Sequence, residues 1–376
     1  MPELRTGSRR SSCRKDYCLL RHIGSGMEPR ITIVILNWNG WSDTLECLES
    51  LRRVSHPRCS VVVVDNASTD GSVDRINEYC EGRIVAQSRF SLENRARALI
   101  EVTQCYGNDE SAGCRNPRPI ADSQWSKNLT LILNKENLGF AKGNNLALRY
   151  AITNLEQEYV LLLNNDTFVD PDFLTELIAV AEMDKSIGIL SPKMYYYDFK
   201  GRSDVIWYAG GEIDPMREWV FFHLGQGEID AHRNDRPTET KWCPGAAMLI
   251  RRSALEHSLL NPAYPFGTED VEYCLEARRL GMKVVCVPTS KVWHKVGVSR
   301  ERVGNRIRRD VAGYFYFIGN NFSRPIYLYH IVLFFAAVLP RWAFAYAAGD
   351  RDPRTSRNFI AEIRGLAVYF LRPRRR

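Results

Sequence analysis

Among the ten cysteines there is neither a CxxC pair nor a zinc-type spacing, so no thioredoxin-like motif or zinc finger is legible. No Walker loop or GxGxxG fingerprint follows a strand, because the lone Gly24-Ser25-Gly26 lies ahead of the first one. The standard phosphate-loop and dinucleotide readings are therefore excluded. Residues 1–30 lack an apolar h-region, which argues against a secretory signal. With Cys47, Cys274 and Cys286 falling inside expected helices or strands as small buried hydrophobes, a reducing, cytoplasmic setting is favoured. Pairing or metal binding by Cys13/Cys18 and Cys105/Cys114 is the alternative. An uninterrupted apolar run of about 20 residues, the length of a simple membrane-spanning helix, is also missing.

What is present suits one large α/β domain with extensions in 376 residues. The net charge of +7 is uneven, with Arg9, Arg10, Arg14 and Lys15 near the start and Arg372, Arg374, Arg375 and Arg376 at the end. Basic ends suit an anionic membrane surface. Nucleic-acid binding is not expected, since no aromatic platform is interleaved with the charge. Residues 1–29 read as a disordered basic tail, and Met27 is a second candidate start.

From residue 30 a strand-turn-helix unit repeats. Ile31–Asn37 is a β-branched run closed by Asn39-Gly40, with Trp41, Leu45, Leu48 and Leu51 at helical spacing. Val61–Val64 closes on Asp65–Gly71 before a helix to about Cys80, and Leu129–Leu133 closes on Asn134–Gly139 before a helix to about Ala151. Strands alternating with helices imply a doubly wound, mostly parallel sheet. Further elements are expected at Tyr159–Leu163 (strand), Asp172–Met183 (helix), Ile187–Leu190 (strand), Gly245–Ile250 (strand), Glu269–Leu280 (helix) and Lys283–Val287 (strand). Residues 83–127 read as an irregular polar insertion, and Tyr195–Lys241 resists assignment. The domain thus runs over 30–305. Residues 306–376 read as a helical extension whose apolar core Ile331–Leu339 ends at Pro340-Arg341, a pattern better suited to a membrane-surface or re-entrant element than to a span.

The chemistry gathers at strand ends. Tyr159–Leu163 is apolar enough for a strand buried on both faces, and it delivers Asn164-Asn165-Asp166 where open α/β sheets bind ligands. Asp166 reads as a metal carboxylate there, or else as the start of a turn before Asp170-Pro171. Asp65 suits either an Asx turn or a carboxylate that accepts from a nucleobase imide. His294 beside Trp293 is either a ligand or a hydrogen-bonded structural histidine. Glu269-Asp270 opens a helix, where acidic residues are also explained by the macrodipole.

Taken in order, Ile33–Gly40, Val63–Gly71, Asn137–Asn145, Leu163–Thr167, Pro244-Gly245-Ala246, Gly267–Asp270 and Val292-Trp293-His294 resemble the family 2 glycosyltransferases of GT-A fold, especially rhamnosyltransferase-like members that build surface glycans. The resemblance implies an inverting transfer from a UDP-, dTDP- or GDP-sugar to a glycan or lipid-linked acceptor. It assigns Asp65, Asn37, Asn39 and Asn66 to the nucleotide pocket. Asn137, Lys142 and Asn144 fall to the donor loop, with Lys142 near the diphosphate and Asn144 near the ribose. Asp166 and His294 become ligands of Mn²⁺ or Mg²⁺, and Asn165 stands where many relatives carry a second Asp. Asp270 matches the catalytic base, with Glu269 beside it to raise its proton affinity or hold the acceptor. A lipid-borne acceptor and a peripheral place on the inner face of the cell membrane are expected from Tyr314–Arg376, with its aromatic run, the apolar stretch Ile331–Leu339 next to Pro340-Arg341 and the terminal arginines. The alternative is that Ile331–Leu339 is a buried helix completing the soluble core. A nucleotidyltransferase would carry a Gly-rich basic loop after the first strand, which Asn37–Trp41 is not. An inactive glycan-binding scaffold has no need of Asp166, Glu269, Asp270 and His294 together.

Overall fold

A computed structural model describes residues 28–90, 99–108, 111–113, 128–232, 235–264, 267–296 and 306–347. The expected N-terminal tail up to residue 27, much of the insertion, and the terminal arginines lie outside these. In chain order the first half comprises β1 (Ile31–Asn37), α1 (Trp41–Leu51), β2 (Cys59–Asp65), α2 (Ser72–Cys80), β3 (Glu101–Asn108), β4 (Ser111–Gly113), β5 (Asn128–Leu133), α3 (Gly139–Asn154), β6 (Tyr159–Asn164), β7 (Thr167–Val169) and α4 (Phe173–Met183). There follow β8 (Ile187–Tyr196), β9 (Ile206–Tyr208), β10 (Gly211–Ile213), β11 (Phe221–His223), β12 (Thr238–Glu239), β13 (Ala247–Arg251), α5 (Arg252–His257), α6 (Glu269–Arg279) and β14 (Lys283–His294). Helices α7 (Arg306–Asn321), α8 (Arg324–Leu333) and α9 (Leu339–Ala347) end the described chain, the last two joined by a π-helical turn at Phe334–Val338.

The central sheet runs β12-β14-β8-β13-β6-β1-β2-β5-β3-β4. β1 pairs in parallel with both β2 and β6, so the chain winds outward from β1 in two directions, and the point of reversal leaves a crevice at the carboxyl ends. Register aligns those ends, with Asn37 opposite Asp65 and Leu36 opposite Asn164. Both faces of these strands are buried, which explains why they read as continuous apolar runs without alternation. Ile33, Ile35, Val61, Val63, Leu161 and Leu163 face one core with Leu45, Leu48, Phe173 and Leu177. Val34, Val62, Val64 and Leu162 face the other, with Leu146, Leu148, Phe315 and Phe317. The fold is thus mixed α/β around a central parallel sheet.

Several boundaries depart from expectation for identifiable reasons. β8 and β14 run on past Leu190 and Val287, through Pro192 and Pro288. Proline lacks the ladder donor and so reads as a strand end, yet here Pro192 pairs with Val287 and the register shifts between Val287 and Lys291 absorb Pro288. Part of the supposed irregular insertion is sheet: β3 pairs in parallel with β5, and its sequence EVTQCYGN lacks the apolar run of a central strand because it lies near the edge. Cys105 on β3 is disulfide-bonded, which corrects the expectation of free thiols there. Its partner lies outside the described residues, whereas Cys47, Cys59, Cys80, Cys243, Cys274 and Cys286 are free and buried. Pro340 does not end the C-terminal helix. The π turn ahead of it loosens the backbone where a proline ring would clash with the carbonyl four residues earlier. Arg324–Phe344 is consequently a continuous 21-residue helix, long and apolar enough to cross a membrane, which removes the length argument against a span.

Candidate active site

Side chains from three strand tips interlock at the crevice. Asn37 Nδ2 donates to Asp65 Oδ1 at 2.8 Å and to Ser68 Oγ at 3.2 Å. Asn37 Oδ1 accepts from Thr44 Oγ1 at 2.8 Å and from Asn165 Nδ2 at 3.2 Å. Asp65 Oδ2 accepts from Ser68 N, three residues on, at 2.9 Å, and this local bond fixes the direction of its carboxylate. Asn39, at φ 49°, accepts from Thr69 N at 2.7 Å and leans its own N–H on Ser68 Oγ at 2.9 Å. Asn165 points inward, its amide also reaching Thr44 Oγ1 at 3.0 Å. It braces the tips of β1 and β6.

The segment Asn134–Asn145 is pinned to the same edge. Asn66 Nδ2 donates to Asn137 Oδ1 at 2.8 Å, while Asn66 Oδ1 accepts from Asn134 Nδ2 and Leu138 N, both at 3.0 Å. Gly143 lets α3 approach β1, since a Cβ there would stand 2.7 Å from Leu36 Cδ1. Asn144 is buried and donates to the Phe140 carbonyl at 3.0 Å. Lys142, one turn into α3, is exposed.

Asp166 and His294 meet face to face. The turn after β6 and the end of β14 bring Asp166 Oδ1 within 3.1 Å of His294 Nε2, both residues being buried. His294 Nδ1 is buried without a hydrogen-bond partner, and the Trp207 ring stands edge-on to the imidazole at 4.6 Å. Adjacent ligands of an octahedral ion bonded at ~2.1 Å stand about 3 Å apart, and one carboxylate with one imidazole suits Mn²⁺. The pair therefore fits a divalent ion. It is a minimal set, because among the described residues no group of three or more His, Cys, Asp or Glu forms a metal cluster.

Asp270 completes the edge. Asn164 N donates to the Ala246 carbonyl at 2.9 Å, and Gly245 N donates to Asp270 Oδ2 at 2.9 Å, so two links join the Asp166 turn to the head of α6. A Cβ on Gly245 would lie 2.9 Å from Phe140 Cζ and 3.6 Å from Asp270 Cβ, so the three motifs meet closely here and a larger residue would shift the Phe140 ring. Asp270 Oδ1 accepts from Val271 N at 2.8 Å. The residue is half-buried whereas Glu269 is buried. Thr268, at φ 73°, holds a left-handed conformation costly for a β-branched residue, and such strain gathers at functional sites.

Beneath Asp166 lies a layer that the sequence did not announce. Lys295 Nζ bonds Asp43 Oδ1 at 2.7 Å and Glu46 Oε2 at 2.5 Å. Burial works against its charge, yet these bonds hold its pKa above the ordinary lysine value. Burial pushes the Cys47 thiol up to about 12 against the lowering contact with Thr167, and the Asp166 and Glu46 charges push the same way as burial. Cys47 is thus a neutral filler and no nucleophile. Trp207 beside His294, His223 packed on Trp207 in turn, and Thr44 and Ser68 in the network were also missed. Asp43 and Glu46, charged residues one turn apart just after Asn39-Gly40, were the visible signal.

Strand tips carrying Asp65 and Asp166, a facing histidine and a helix-borne carboxylate thus gather at the switch point of an α/β sheet. The chain belongs to glycosyltransferase family 2: the profile described as "Glycosyltransferase like family 2" matches residues 84–315, and that described as "Glycosyl transferase family 2" matches residues 32–99. It is similar to the low-salt glycan biosynthesis hexosyltransferase Agl10 of Haloferax volcanii, 26% identical over 149 residues that make up 39% of this chain and 46% of that protein. The match therefore spans about half of that relative. Among solved structures it is similar to the mannosyltransferase PcManGT of Pyrobaculum calidifontis in complex with GDP-Man and Mn²⁺, at 17% identity and TM-score 0.49, covering 95% of this chain and 94% of the other. It is also similar to S. aureus TarS 1–349 in complex with UDP, at 14% identity and TM-score 0.48, covering 90% and 80%.

Proposed function

We propose that this chain is an inverting, divalent-metal-dependent glycosyltransferase of GT-A type, related to the rhamnosyltransferase-like group. It moves a sugar from a nucleoside diphosphate to a hydroxyl of a glycan or lipid-linked acceptor in surface-glycan synthesis. The observation that supports this best is the convergence of Asp65, the Asp166–His294 pair and Asp270 along one sheet edge. Each Asp65 oxygen accepts one bond within the protein and keeps a lone pair for the imide N–H of the base. The α3 N-terminus and exposed Lys142 offer positive charge to the diphosphate. Asp166 and His294 would hold the divalent ion, which when bound would supply positive charge to neutralise the departing diphosphate. Asp270, half-buried at the head of α6, is oriented by the Gly245 and Val271 N–H groups. It takes the proton of the acceptor hydroxyl as that oxygen attacks from the side opposite the diphosphate, a single displacement that inverts the anomeric centre. The site works at the inner face of the cell membrane, where α8 and α9 meet the lipid.

A panel of UDP-, dTDP- and GDP-sugars, each with and without Mn²⁺, tests the reading by thermal shift and donor hydrolysis. One base should stabilise the protein, by about 2.7 kcal/mol at a hundredfold excess over Kd, and hydrolysis should require the metal. Absence of stabilisation by every donor, or full activity in excess chelator, overturns it.

A further inference from the structure

Lys295 follows His294 directly, and its contacts reach the Asp166 turn, α1 and Tyr197 just past β8. Its backbone N–H donates to the Asp166 carbonyl at 3.0 Å. Its ammonium lies between Asp43 Oδ1 and Glu46 Oε2 on α1, at 2.7 Å and 2.5 Å, and 5.0 Å from the centre of the Tyr197 ring. Tyr197 closes the circuit: its N–H donates to the His294 carbonyl at 2.9 Å and its hydroxyl to Glu46 Oε1 at 2.5 Å. Glu46, Asp43 and Lys295 are all largely withdrawn from water, with side-chain exposures of 3%, 12% and 20%. Next to Glu46, Cys47 Sγ rests 3.6 Å from Thr167 Oγ1, in the residue after Asp166.

We propose that Lys295 is a positioning residue for the cation pair. Clamped by Asp43 and Glu46, it fixes the end of β14 against α1 and the Asp166 turn, so that His294 and Asp166 are held at ligating separation before an ion arrives. The inference rests on the proposed metal-binding role of that pair. A surface ion pair would contribute little, but removal of one partner from a withdrawn pair leaves an uncompensated charge beside it. Groups that orient metal ligands typically matter 10–100-fold in metal affinity.

The sign of the effect separates positioning from simple electrostatics. Asp43, Glu46 and Lys295 together carry one net negative charge. Deleting the ammonium makes that field more negative, which by Coulomb's law alone would tighten Mn²⁺ binding. Positioning requires the opposite. Binding of Mn²⁺ alone to the full-length protein, followed by loss of the free-ion EPR signal, should weaken at least ~10-fold in Lys295→Met, and Lys295→Arg should recover most of the loss. The double variant Glu46→Gln/Lys295→Met restores the net charge of the cluster and neutralises the more deeply buried of the two carboxylates that Lys295 bridges, which guards against failure to fold. It should remain as weak as Lys295→Met, with circular dichroism reporting the native fold. Unchanged or tighter Mn²⁺ binding in either Met variant overturns the proposal. If the unaltered protein binds no Mn²⁺, the metal reading itself fails and this inference falls with it.

Discussion

The Asp270 carboxylate is held by two backbone N–H groups, from Gly245 and Val271, which fix its direction whether or not it carries charge. Asp270→Asn keeps the size of the side chain and one of the two N–H bonds and loses the proposed proton acceptor, so the variant should still bind donor but transfer at least ~100-fold more slowly, the low end of general-base contributions. Near-normal transfer would pass the role to Glu269. For the cation pair, Asp166→Ala and His294→Ala should each lower turnover and raise the Mn²⁺ concentration needed, the former more severely because it removes the only anionic member. Steady-state rates across a Mn²⁺ series decide this. At the residue scale the strand-tip groups were legible because polar residues at the end of an apolar run have few purposes. Asp43, Glu46 and Lys295 were not. Their partnership spans 252 residues of sequence, and no local pattern encodes a tertiary ion pair.

Elements were most legible where strands are buried on both faces, as in β1, β2 and β6, and least where short strands follow one another, as between Tyr195 and Lys241. That segment holds β9 to β12, too brief for period-two alternation to register. Its attachment to the sheet is polar: Lys193 on β8 is buried and bonds Asp230 Oδ2 at 3.0 Å, and Tyr195 Oη donates to the same oxygen at 2.6 Å. Burial alone would raise the Asp230 pKa, but the bonds from Tyr195, the His232 N–H and Lys193 bring it down to about 2. A carboxylate whose folded pKa lies below its unfolded value of about 3.9 stabilises the fold fully above that value. The contribution is lost as pH falls toward 2. Melting temperatures of the unaltered protein and Asp230→Asn should therefore differ at pH 6 and converge between about pH 4 and pH 2. A gap independent of pH would show that Asp230 acts through shape alone.

At the scale of the whole molecule, the C-terminal helices divide into two faces. His330, Phe334 and Val338, four residues apart, are buried, with His330 Nε2 donating to the Pro215 carbonyl at 2.9 Å and Arg341 paired with Glu218. Leu328, Val332 and Phe335 recur at i, i+4 and i+7 on another face and are 60%, 65% and 47% exposed. A single exposed leucine is ordinary, but a helical apolar stripe marks an interaction surface. Burying it in lipid would contribute ~25 cal/mol per Å², and each arginine near anionic headgroups about 1 kcal/mol. Cutting the chain ahead of α7 would not test this, since Val311, Phe315 and Phe317 fill the core and their loss would unfold the domain. Glutamate at Leu328, Val332 and Phe335 together, in the full-length protein, changes only the exposed face. That variant should keep the circular dichroism and melting temperature of the parent within a few degrees, yet stay in the supernatant when the parent co-sediments with phosphatidylserine-containing liposomes. If the parent also stays in solution, or if the three substitutions unfold the protein, the lipid-facing role of the stripe is wrong.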